Sequence, residues 1–226
     1  GYLVWGEYAN FGLIHPRAEA IYAVLPEWIE AVERDFNHPS IIGWCPFNET
    51  WDYKKRKQYD PLLATVYDYT KAVDSTRPCI DTSGYVHVIT DIFDMHDYDL
   101  DVEKLKRKYA SLQNEGILGE MWCAFASEQT YDGKAPIFIS EYGGMGFDLT
   151  EGGWGYQVTD SADTFIETLK GINDVFMDNP HIMGFCYTQL TDVEQELNGI
   201  YYYDRTEKFD AERLYKINTK VAAIEK

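Results

Sequence analysis

Along its whole length this chain alternates short, nearly continuous apolar runs with amphipathic stretches of helical period, and that alternation constrains it to an α/β fold. Six runs read as strands: Tyr2 to Gly6, Ile41 to Phe47, Cys79 to Thr82, Ile92 to Met95, Pro136 to Ser140 and Ile182 to Tyr187. Apolar residues at consecutive positions suit parallel strands buried on both faces. Between them the pattern predicts helices over Pro26 to Phe36, Pro61 to Val73, Val102 to Asn114 and Ala162 to Met177, with a last one over Ala211 to Ala223. In the first of these, Pro26 takes the first turn, and Trp28, Ile29, Val32 and Phe36 share a face.

Such a series of β/α units fits an open doubly wound sheet or part of an eight-stranded barrel. A dinucleotide sheet calls for GxGxxG after its first strand and a phosphate loop for GxxxxGK; neither occurs. Polar residues gather instead where strands end: Glu7 after LVWG, Asn48 and Glu49 after IIGWCPF, Asp97 and Tyr98 after IFDMH, Glu141 after PIFIS, and Asp192 after FCYTQLT. In a barrel those carboxyl ends converge on one mouth, so carboxylates far apart in the chain can meet there. Two carboxylates beside aromatic rings suit glycosidic bond cleavage, in which one group protonates the leaving oxygen and the other attacks the anomeric carbon.

Composition narrows the partners. Aromatic residues are 15% of the 226, more than packing alone asks for, and flat rings suit the apolar faces of sugars, so a carbohydrate substrate is expected. The formal charge of -18 repels phosphates and argues against nucleic acid. No apolar run reaches the roughly 20 residues that cross a bilayer, so no membrane partner is expected. Cys45, Cys79, Cys123 and Cys186 are widely spaced, which suits free thiols in a reducing compartment and hence a cytoplasmic protein, a secreted parent staying open. The five His form no HxH or HxxxH pair, so no metal or other cofactor is expected.

The segment NHPSIIGWCPFNET, residues 37 to 50, resembles the acid/base signature of glycoside hydrolase family 2, the family of β-galactosidases, β-glucuronidases and β-mannosidases. APIFISEYGG, residues 135 to 144, resembles that family's nucleophile strand, the seventh of a TIM (β/α)8 barrel. GYLVWGEYA, TDIFDMHDYD and GFCYTQLTD resemble its strands three, six and eight. The resemblance implies a TIM barrel truncated to strands three to eight over residues 1 to 226, with the first two strands and the preceding β-sandwich domains absent. Open strand edges of that kind invite pairing, so a homo-oligomer is expected.

Carried over residue by residue, the resemblance makes Glu49 the general acid/base and Glu141 the nucleophile of a retaining β-glycoside hydrolase acting on terminal β-linked sugars, β-galactosidase-like. It places Asn48 on the sugar 2-hydroxyl and Tyr98 on the nucleophile. From the residues themselves, His96 shares a strand face with Tyr98 and is expected either to touch sugar or to be a hydrogen-bonded structural His, Trp51 and Trp154 to be substrate platforms or ordinary loop packing, and Glu7 to line the pocket or to form a salt bridge within it. The family's strand-eight Trp is missing where this chain reads Tyr187-Thr188-Gln189, and Tyr187 is the expected replacement. The galactose, glucuronic acid and mannose specificities all stay open. The competing reading is a catalytically silent carbohydrate-binding barrel fragment, against which the retained pair Glu49 and Glu141 speaks.

Overall fold

The computed structural model describes residues 2–10, 12–50, 58–119 and 129–226, and the chain divides into two compact units. One comprises Gly1–Met95 with Ser127–Pro136, the other His96–Ala126 with Ile137–Lys226.

In the first unit, β1 (Val4–Glu7) runs parallel to β2 (Ile41–Cys45), with Gly6 opposite Trp44 and Glu7 opposite Cys45. Residues 78–83 flank β2 on its other side, the Ile80 amide donating to the Trp44 carbonyl at 2.9 Å and the Ser83 amide to the Phe47 carbonyl at 2.8 Å. The sequence pattern predicts a full strand over Cys79 to Thr82; the structure forms only isolated bridges there, Trp44 with Cys79 and Asn48 with Ser83. The physical reason is local: the Thr82 amide bonds the Asp81 carboxylate at 2.9 Å, which takes it out of the ladder.

Helix α1 (Glu19–Asp35) begins seven residues before the predicted start, so Pro26 sits inside it rather than in its first turn. An interior Pro costs about 3 kcal/mol. The offset comes from the opposite face, where Ala20, Val24, Trp28 and Val32 form a buried stripe at a spacing of four while Pro26 itself is exposed. Ile29 is only partly buried and Phe36 lies outside the stripe, so the predicted face is rotated. Trp28 meets Trp44 edge-on at 5.9 Å and donates its ring N–H to Thr70 of α2 (Asp60–Val73) at 2.7 Å, which locks both helices onto β2.

The second unit holds β4 (Ile137–Gly143) and β7 (Ile182–Thr188), parallel, with Ile137 opposite Ile182 and Gly143 opposite Thr188. On the far side of β4 lies β3 (Phe93–Asp97), whose last two residues belong to this unit. A small parallel pair, β5 (Met145–Gly146) and β6 (Gln157–Val158), follows β4. Helix α3 (Val102–Glu115) is capped by Asp101, which accepts from the Lys104 amide, and ends on Gly116 at a φ of 70°. Helix α4 (Ala162–Met177) is capped by Ser161 and buries Phe165, Leu169, Ile172 and Phe176. Helix α5 stops at Asn218 (Ala211–Asn218), short of the predicted Ala223: Thr219 leaves the helical conformation at a φ of -103° while its hydroxyl bonds back to the Tyr215 carbonyl, and a 3-10 turn, Ala223–Glu225, comes after.

Among the described residues no sheet closes on itself, so the barrel expected from the sequence is present here as separate parallel strand sets. No helix among them is long and apolar enough to cross a membrane.

Candidate functional site

In the first unit the strand β2 delivers Asn48 and Glu49 to its carboxyl end. Phe47 just before them is fully buried. Both backbone groups of Asn48 are gripped by one side chain: its amide donates to Asn10 Oδ1 at 2.8 Å, and Asn10 Nδ2 donates to its carbonyl at 3.0 Å. Asn48 Oδ1 is buried and accepts no hydrogen bond among the described residues, an acceptor that a substrate hydroxyl would satisfy. Glu49 follows at a φ of 44°, a left-handed conformation that costs a non-glycine residue roughly 1–2 kcal/mol. Its amide donates to the Ser83 carbonyl at 2.9 Å. The Thr50 and Thr82 hydroxyls lie 3.1 Å apart, so the residue after Glu49 is braced as well.

Glu7 is exposed at the end of β1. Trp51 lies outside the described residues, as does Cys123. Cys45 and Cys79 are buried free thiols, both pushed well up in pKa by burial, and Cys186 is exposed.

In the second unit β4 carries Glu141 near its carboxyl end, where the register with β7 shifts between Ile139 and Tyr142. The shift is a local irregularity of the kind that re-aims a side chain. Tyr98, one residue past β3, donates its hydroxyl to Glu141 Oε2. His96 Nδ1 stands 3.5 Å from the same oxygen, and the His96 side chain is nearly buried. Burial, and then the Glu141 charge, raise the Tyr98 pKa far above the ordinary phenol value, so Tyr98 stays protonated and can donate at neutral pH. A carboxylate that accepts such a bond is held in place and favoured in its charged form, which is what a nucleophile requires.

Tyr156, which no sequence motif singles out, stacks on Tyr98 with ring centroids 4.1 Å apart and planes 16° from parallel. Trp154 meets Tyr156 edge-on at 5.7 Å, and both rings are about half exposed. The signal was present in EGGWGYQV, two residues beyond Trp154, but nothing in that loop distinguishes one aromatic from the other. Gly144, at a φ of 61°, lets the two tyrosines close on each other: a Cβ there would lie 3.1 Å from the Tyr98 ring and nearer still to Tyr156.

Tyr187 is tied into the scaffold. Its hydroxyl accepts from the Met145 amide and donates to the Asn198 carbonyl, each at 3.1 Å, and its ring packs edge-on against Tyr142 at 5.5 Å. The structure thus brings His96 and Tyr98 to Glu141, carries Trp154 one ring further out through Tyr156, and uses Tyr187 to join β7 to the segment after β4.

Comparison with known proteins gives a consistent picture. Residues 10–223 match the family model described as glycosyl hydrolases family 2, TIM barrel domain. A β-glucuronidase of the dog, Canis lupus familiaris, is 31% identical over 121 residues, which cover 50% of this chain and 17% of that protein. Among solved structures, the Bacteroides uniformis β-glucuronidase 2 covalently bound to cyclophellitol-6-carboxylate aziridine superposes with a TM-score of 0.67 at 21% identity, covering 91% of this chain and 27% of that one. A GH2 β-galacturonidase from Eisenbergiella tayi bound to galacturonate gives a TM-score of 0.71 at 17% identity, covering 97% of this chain and 41% of that one. The structural likenesses, at such identities, show the fold; the chain spans well under half the length of each of these relatives.

Proposed function

The chain belongs to glycosyl hydrolases family 2, its residues 10–223 matching that family's TIM barrel domain, and from that premise we propose that it carries the catalytic residues of a retaining β-glycosidase, Glu141 as nucleophile and Glu49 as general acid/base. The observation that carries the reading is the Glu141 carboxylate, at the carboxyl end of β4, accepting the hydroxyl of a Tyr98 that does not ionise. In the first step Glu141 attacks the anomeric carbon while Glu49 passes its proton to the departing oxygen, and the glycosyl-enzyme ester forms. In the second, the Glu49 carboxylate takes a proton from water, the water oxygen attacks the anomeric carbon, and Glu141 leaves as a carboxylate. Asn48, with its unsatisfied Oδ1, takes a hydroxyl of the bound sugar.

For the sugar we propose a β-uronide. The β-galactosidase-like specificity suggested by the sequence has no counterpart in these relatives, which are named as a β-glucuronidase or a β-galacturonidase. The test uses the full-length protein that carries this domain. A panel of nitrophenyl β-glucuronide, β-galacturonide, β-galactoside and β-mannoside identifies the sugar. A cyclophellitol aziridine matched to that sugar should then add one equivalent of mass at Glu141, mapped by peptide sequencing; labelling at Glu49, or none in a protein that turns over substrate, overturns the assignment.

A further inference from the structure

We propose that the buried Asp81, His87 and Asp94, acting through Ser83, are positioning residues that hold the backbone of Glu49 in its left-handed conformation. The inference rests on the reading of Glu49 as general acid/base.

Glu49 at a φ of 44° persists only where its surroundings over-determine it. Its amide is held by the Ser83 carbonyl at 2.9 Å, and the Ser83 amide bonds the Phe47 carbonyl at 2.8 Å, so Ser83 grips the chain on both sides of Asn48. Ser83 is in turn fixed from below. Its hydroxyl donates to Asp94 Oδ2 at 2.8 Å, and the Gly84 amide donates to the same oxygen at 3.1 Å. The other oxygen, Asp94 Oδ1, lies 3.2 Å from His87 Nε2, and His87 Nδ1 lies 2.7 Å from Asp81 Oδ1. Asp81 is anchored by the Thr82, Val88 and Ile89 amides at 2.9, 2.6 and 3.1 Å.

Asp81, Ser83 and Asp94 are each at most 1% exposed, and the His87 side chain is 5% exposed. Both buried carboxylates accept backbone or hydroxyl donors, and His87 lies between them, with Nδ1 facing Asp81 Oδ1 and Nε2 within 3.2 Å of the Asp94 carboxylate and backbone. None of these groups offers a surface to substrate. They form a dry chain of contacts that ends on the one backbone amide whose placement decides where the Glu49 carboxyl points. A proton donor gains its effect from position, and a displacement of about 1 Å at such a group can cost on the order of a hundredfold.

The test compares the full-length protein with Ser83→Ala, His87→Gln and Asp94→Asn on two glycosides of the sugar it turns over, one with a phenyl and one with a 2,4-dinitrophenyl leaving group. The phenyl glycoside needs the proton; the dinitrophenyl one scarcely does. Expected for all three variants is a fall in kcat/KM of about 10- to 100-fold on the phenyl glycoside and under about 3-fold on the dinitrophenyl one, a weaker copy of the split that Glu49→Gln should give. Loss of folded protein would lower both substrates equally. Equal losses on the two substrates in variants that melt at the wild-type temperature, or no loss in Ser83→Ala, overturn the proposal while leaving the Glu49 reading intact; a Glu49→Gln variant with no split overturns both. Should His87→Gln fail to fold, Ser83→Ala, which deletes a single oxygen, decides.

Discussion

The Tyr98 hydroxyl donates to Glu141 Oε2, and burial beside that carboxylate keeps the phenol protonated. On the reading of Glu141 as nucleophile, a donor that stays protonated favours its charged form before attack. Tyr98→Phe keeps the ring and removes only the donor. The expected result is a fall in kcat/KM of about 10²-fold, by analogy with the loss of a single oriented donor elsewhere, with the same factor for good and poor leaving groups. Steady-state rates on the two glycosides check it; a fall confined to the poor leaving group would place Tyr98 with the proton donor instead.

Tyr156 supports Tyr98 from one side with a stacked ring at 4.1 Å. Because Tyr156 is about half exposed, its removal should cost little global stability and much of the cost should appear in turnover. A stacked pair of this kind is worth about 0.5–1.5 kcal/mol, so Tyr156→Ala is expected to lower kcat/KM by roughly 2- to 12-fold and Tyr156→Phe hardly at all. Rates for the three proteins, beside their melting temperatures, decide; an unchanged rate in Tyr156→Ala would leave the stack without a role.

Much of this was legible in the residues, and the misses have physical causes. Asn48, Glu49 and Glu141 stand out because charge and amide close runs as apolar as IIGWCPF and PIFIS. Helix α4 is bounded as predicted since Ser161 caps it and its apolar period is unbroken. Helix α1 starts earlier than its pattern predicts because a Pro reads as a start, whereas here a buried stripe on the other face carries the helix through it. Tyr156 and Asn10 were missed for a different reason: each acts through a partner more than 35 positions away, Asn48 for Asn10 and Tyr98 for Tyr156, and no local pattern encodes that. His87 likewise shows no motif, since its two carboxylates meet it only on folding.

His87 gives the fold a pH dependence of definite sign. Burial lowers its pKa, but hydrogen bonds to Asp81 and Asp94 outweigh that and raise it to about 10. With a folded pKa above the unfolded value of about 6.5, the cluster's contribution is complete below pH ~6.5 and is lost as the pH rises towards 10. Stability should therefore decline by on the order of a few kcal/mol across that interval. Thermal melts of the wild type and His87→Gln at pH 6, 8 and 10 test it: the variant should be less stable at pH 6 and show a flatter profile, and parallel profiles would mean that His87 does not carry the charge.

The segment after β7 is pinned by a buried ion pair, Lys208 Nζ to Asp192 Oδ1 at 2.5 Å, with side chains 1% and 5% exposed. Asp192 Oδ1 also accepts the Gly199 amide at 2.9 Å, so the pair fixes the turn that carries Asn198, whose carbonyl receives the Tyr187 hydroxyl. Removing one member strands the other charge without water. Lys208→Met should therefore cost about 3–5 kcal/mol, while Asp192→Asn together with Lys208→Met should recover a large part of the loss, since a neutral amide still accepts from Gly199. Denaturant midpoints for wild type, single and double variants give the coupling directly. Additive losses would show that the charges do not depend on each other, and that the turn is held by its backbone bonds alone.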